Sequence, residues 1–140
     1  MEIFELGEIA KILGMSLTKV KNWTIGRPLA IEASIRTATG QGSRNLFSLE
    51  DVYLMGVANE LSRAGMAAKA IGKVLEAVKA KFPDGLAQAG ALYVTRGERL
   101  GYRIETRQDR IPVGAVVRII VDVQALREKI ERDVVRLRRR

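Results

Sequence analysis

Thr18, Lys19 and Asn22 fall on one side of a short amphipathic stretch that runs from Leu17 to about Ile25. All three are polar, and two of them can both donate and accept hydrogen bonds. Base edges in a major groove are read by such groups, and Asn is the side chain that pairs bidentately with adenine. Lys21 and Trp23 lie on the flanks of the same stretch, and Ser16 stands just before it. Further on, Arg36 and Arg44 bracket a Gly-rich segment, Gly40-Gln-Gly-Ser. Guanidinium groups on a loop with little Cβ bulk suit close approach to a phosphate backbone or a minor groove.

The rest of the composition excludes most other chemistry. The chain has no cysteine and no histidine. Thiol nucleophiles, disulfides, zinc fingers and imidazole general bases are therefore out of reach. Neither a metal site nor a cofactor is expected. The acids Glu50/Asp51 and Glu105/Asp109 stand near basic residues and read as solvated groups, with no paired acid/base signature, so an enzyme is not expected. The formal net charge is +8 over 140 residues, which favours a polyanionic partner. No apolar run approaches the length of a membrane span, and Met1-Glu-Ile-Phe-Glu is no signal peptide. A cytoplasmic location without membrane attachment is expected.

The elements that must position these groups follow from periodicity. Leu6, Ile9, Ala10 and Leu13 share one face of a helix, and Gly14 ends it. Ser16 is placed to cap the next helix, on which Leu17, Val20 and Thr24 fall on the inner side. Gly26 and Pro28 break that helix. Ile35 to Thr39 and Asn45 to Phe47 read as short strands with the Gly-rich loop between them. Ser48 and Asp51 approximate a capping box for a third helix, roughly Leu49 to Ser62. After Gly65 a fourth helix carries Ile71, Val74, Leu75 and Val78, with Ala67 a poor cap at its start.

Phe82-Pro-Asp-Gly is a turn, and composition changes there. Residues 1–80 hold ten Lys/Arg against eight acids, and residues 81–140 hold fourteen against eight. Ala91 to Arg96, Tyr102 to Arg107 and Val116 to Val121 are β-rich. Asp122 can cap a last helix whose stripe is Leu126, Ile130, Val134 and Leu137. Arg136-Leu-Arg-Arg-Arg closes the chain, as a nucleic-acid tail or as cations that offset a helix dipole.

This order of parts resembles the winged helix-turn-helix of MerR-type transcription regulators over residues 3–78. Phe4-Glu-Leu-Gly-Glu-Ile-Ala-Lys-Ile-Leu-Gly-Met-Ser is similar to that family's opening helix and turn. Thr18-Lys-Val-Lys-Asn-Trp is similar to its recognition helix. Gly42-Ser-Arg-Asn-Leu-Phe-Ser-Leu-Glu-Asp-Val is similar to its wing and third-helix start, and Glu60-Leu-Ser-Arg-Ala-Gly-Met to its junction into the fourth helix. The resemblance implies that Thr18, Lys19 and Lys21 contact bases or phosphates, that Trp23 meets a phosphate, and that Arg44 holds backbone beside the minor groove. It also implies a dimer on a two-fold site. Asn22 stands where an aromatic is common in the family, and Phe47 where Tyr is common. A β-rich segment replaces the long dimer helix.

The fold class expected is α+β: a winged helix-turn-helix over residues 1–80, then a small β/α accessory or dimerisation domain over 81–140. The function expected is sequence-specific binding of double-stranded DNA by a homodimeric transcriptional regulator. Two surfaces offer themselves for the dimer, the stripe Leu126, Ile130, Val134 and Leu137 and the edge of the Val116–Val121 strand. The helix could instead only cover its own sheet. The alternatives are an assembly or scaffold protein that uses the winged domain for protein contacts, and a phage-type DNA-packaging or excision accessory factor.

Overall fold

The computed structural model describes residues 2–24, 31, 45–96 and 101–139. The described part is mixed α+β, with five α-helices and two small antiparallel sheets. Strand β1 (Ile3–Phe4) leads into helices α1 (Leu6–Leu13) and α2 (Leu17–Thr24). Strand β2 (Phe47–Ser48) pairs with β1, placing Phe4 opposite Phe47, both fully buried. The pairing of the acidic amino terminus with the second strand was not expected from the sequence. A two-residue strand is too short to show its period-2 pattern.

Helix α3 (Leu49–Arg63) opens on the expected box. Asp51 N donates to Ser48 Oγ at 3.2 Å, and Ser48 N donates to Asp51 Oδ2 at 2.9 Å. Helix α4 (Ala68–Lys81) starts at Ala67 without a side-chain cap and buries Ile71, Val74, Leu75 and Val78. All four residues of its expected stripe thus face the core.

Strands β3 (Ala91–Arg96), β4 (Tyr102–Glu105) and β5 (Val116–Asp122) form a sheet in the order β4-β3-β5, antiparallel throughout. A single 3₁₀ turn, Gln108–Arg110, lies between β4 and β5. Helix α5 (Val123–Arg138) follows β5 directly, capped by Asp122 Oδ1, which accepts from Ala125 N at 3.0 Å.

The turn after Lys81 lies where composition changes, but the core does not divide there. Buried residues from both sides form one cluster. Helix α4 packs beside β4, β5 meets α3, and α5 crosses both α1 and α3. The reason is area. A three-stranded sheet with one helix buries too little apolar surface alone, so it borrows the helices before it.

The stripe on α5 is therefore corrected as a dimer seam. Ile130 is 1% exposed, Val134 is buried, and Leu126 and Leu137 pack against the same cluster. Ile130 and Leu126 lie over Gly56 of α3. The apolar side of this helix is already covered within the chain.

The acids read as solvated are mostly not so. Asp51 and Glu105 are buried, the latter 4.0 Å from Lys81 Nζ; Asp109 alone is exposed, paired with Arg107. Glu50 accepts from Leu86 N, and Arg127 donates to the carbonyls of Leu86 and Ala89. These two side chains hold the 85–90 turn against α3 and α5. Gly85 is required there: its φ is 99°, and a Cβ would sit 2.7 Å from Glu50 Cδ. Local sequence cannot reveal such partners, which come from 36 to 41 residues away.

Candidate nucleic-acid interface

Two helices around a tight turn carry the candidate site. Gly14 ends α1 in the left-handed region at φ 64°, and Met15 N closes back on Ala10 O at 2.9 Å. This is the termination that a glycine after the last apolar position favours. Ser16 then caps α2 as the sequence predicts: its Oγ accepts from Lys19 N at 3.1 Å. That bond satisfies one of the free amides of the first turn.

Helix α2 is held down by Val20 and Trp23, both buried. The carbonyl of Trp23 accepts from Ile31 N at 2.8 Å, which anchors the chain just beyond the helix. Thr24 Oγ1 donates to Lys21 O within the last turn. Thr18, Lys21 and Asn22 face solvent.

This burial corrects the orientation expected for the helix. Leu17 was assigned to the inner side with Val20 and Thr24, yet it is 54% exposed. Trp23 takes its place, at 7% exposure. The buried axis is turned by about 50° on a wheel of 100° per residue. The physical reason is size: an indole buries far more apolar area than a leucine, so it wins the core position on a two-turn helix.

The same turn moves two lysines. Lys21 joins Thr18 and Asn22 on the outer face, where the sequence put it on a flank. Lys19 moves to the flank and is half-buried. Its Nζ lies 5.1 Å from the centroid of the Trp23 ring and 3.2 Å from Ser62 Oγ at the end of α3. An ammonium over an aromatic face gains electrostatic attraction, and the bond to Ser62 ties α2 to α3. Any phosphate contact from Trp23 would be confined to the small exposed part of its ring.

Arg36 and Arg44, with the Gly-rich loop between them, lie outside the described residues. The carboxyl-terminal arginines are partly engaged. Arg138 donates to Ile3 O at 2.7 Å and to Glu8, and its guanidinium lies 5.0 Å from the Phe4 ring centroid. Arg136 pairs loosely with Asp133 at 3.7 Å. The end of the chain thus clamps its beginning, a contact that no local pattern announces.

No group of His, Cys, Asp or Glu among the described residues could hold a metal ion. Among the described residues no helix is long and apolar enough to cross a membrane. Comparison with protein-family models and with curated proteins finds no match.

Proposed function

We propose that the protein binds double-stranded DNA sequence-specifically as a homodimeric transcriptional regulator, with residues 1–80 acting as a winged helix-turn-helix of MerR type. One observation carries the reading: Thr18, Lys21 and Asn22 share the outer face of a helix whose other side is pinned through Val20 and Trp23. A rigid helix that presents a cation and two hydrogen-bonding groups is what base-edge recognition requires. The net charge of +8 supplies the sequence-independent attraction to phosphates.

The roles divide by position. Thr18 and Asn22 read base edges from the outer face, and Lys21 reaches a base or a phosphate. Lys19 acts as a positioning residue, through Trp23 and Ser62. Ser16 keeps the first turn of the helix wound at the groove. Arg36 and Arg44 hold the backbone from the wing.

Selection of bound sequences from a random duplex library tests this. An enriched, two-fold symmetric motif is the expected result. No enrichment would overturn the regulator and favour the assembly role, in which the same domain meets protein.

A further inference from the structure

Seven large apolar side chains are well exposed among the described residues, and four of them, Val113, Val116, Val117 and Ile120, crowd into positions 113–120. Single exposed residues of this kind need no explanation, but a contiguous set marks a surface that something covers. Val113 is fully exposed, and Ile120 is 60% exposed.

The set lies on and before β5, one of the two outer strands in the order β4-β3-β5. Its far edge meets no strand among the described residues. Edge strands are normally shielded by charge or irregularity. Here one charge, Arg118, interrupts the apolar run. It falls where the ladder to β3 slips, since Val94 faces Ile119 while Thr95 faces Val117. Such a bulge re-aims a side chain out of the ladder. Arg118 has no ion-pair partner among the described residues.

The complementary charge lies beside the same strand. A cleft between β5, α3 and the start of α5 has Ile120 on its wall and carries Glu60 and Asp122, with Lys129 its one cation. We propose that β5 is the two-fold interface of a homodimer. Ile120 of the two copies meets at the axis, and each Arg118 enters the other copy's cleft toward Glu60 and Asp122. A second copy is the occupant because this surface carries both halves of its own complement, as an isologous contact must. A purely apolar partner would bury Arg118 without a counter-charge, while Glu60, held only loosely by Arg63 at 3.7 Å, and Asp122, which caps α5 through one oxygen, can each accept a further bond. The α5 stripe does not compete, because Ile130 and Val134 are buried in their own chain and Leu126 and Leu137 are half-buried against the same cluster.

The interface deepens the DNA reading, since a two-fold site is matched by a two-fold protein, yet it is measured without DNA. Sedimentation equilibrium of the full chain should give a dimer at roughly 50 µM, a mid-micromolar affinity or better. Ile120→Glu should give a monomer that melts where the wild-type chain melts when diluted to its monomeric state, because the position is exposed in the single chain. Arg118→Glu should weaken the dimer about tenfold or more by facing acid with acid. Adding Glu60→Arg to that variant should recover most of the loss. A monomeric wild-type chain, or a dimer indifferent to Ile120→Glu, would overturn the interface; a charge swap that recovers nothing would overturn its register. Duplex selection separates the two ideas. A monomer that still enriches a motif sinks this interface and keeps DNA binding, and a dimer that enriches nothing does the reverse.

Discussion

A Cβ at Gly56 would lie 3.0 Å from Ile130 Cδ1 and 3.2 Å from Leu126 Cδ2. The glycine in the middle of α3 is thus the seat on which α5 rests. Gly costs about 1 kcal/mol relative to Ala inside a helix. Its presence buys close approach of two helices far apart in the chain.

The first prediction follows from that contact. Gly56→Val should lower stability by about 2 kcal/mol, since overpacking a filled core outweighs the gain in helix propensity. Ile130→Val alone removes Cδ1 and should cost about 1 kcal/mol. In the double variant the losses should fall short of their sum by about 1 kcal/mol, because the colliding atom is gone. Urea unfolding of the four chains measures this, and simple additivity would show that α5 does not rest on Gly56.

Glu50 gives a dependence on pH. Burial raises its carboxyl above the ordinary carboxylate range, the Leu86 amide and then Arg127 act the other way, and Asp51 adds to the rise. A raised acid binds more protons in the folded state than in the unfolded one. Its stabilising share is complete below the unfolded value near 4.5 and is lost as pH rises through the raised value. Glu50→Gln removes this titration. Wild type minus variant stability should therefore be larger at acid than at neutral pH, a trend that chemical denaturation at several pH values would detect. A flat difference would mean that Glu50 titrates as an ordinary surface acid.

Under the DNA reading, Asn22 and Arg44 should fail differently. Asn22→Ala should cost about 1–3 kcal/mol on the preferred duplex and relax one base position. Arg44→Ala should weaken all duplexes alike and lower the salt slope by about one unit. Titrations at several salt concentrations, on preferred and scrambled duplexes, tell these patterns apart. An unchanged motif and affinity for the Asn22 variant would remove that residue from the reading face.

Lys19 should behave as a support. Its ammonium lies between Trp23 and Ser62, so Lys19→Ala should loosen α2 and reduce affinity for preferred and scrambled duplexes by a similar factor. Lys19→Arg keeps a cation over the ring and should restore most of the binding. If instead Lys19→Ala changes which base is preferred, Lys19 reads the groove directly.

Helix ends and apolar stripes were legible because their causes are local. Gly14, Ser16, the Ser48–Asp51 box and Asp122 each act within a few residues, and the structure keeps every one of them. The three strands of the second sheet were legible for the same reason, since β-rich composition and alternation are properties of neighbours along the chain. The orientation of the candidate helix was half legible. Thr18 and Asn22 were placed outward correctly, while Leu17, Lys19 and Lys21 were each misplaced by one shift of the helix about its axis.

What only the tertiary structure decided was which apolar surface wins a partner. Two turns of helix leave several orientations nearly equal in local pattern, and the area of Trp23 settled the choice. The stripe of α5 looks the same in the sequence whether it meets another copy or its own α3; a helix-interior glycine 70 or more residues away turned it inward. The pairing of Phe4 with Phe47, the hold of Arg138 on Ile3 and Glu8, and the bond of Glu50 to Leu86 likewise join residues that only the fold brings together. Local propensity specifies elements because it depends on neighbours in sequence. Burial, ion pairs and free edges depend on neighbours in space.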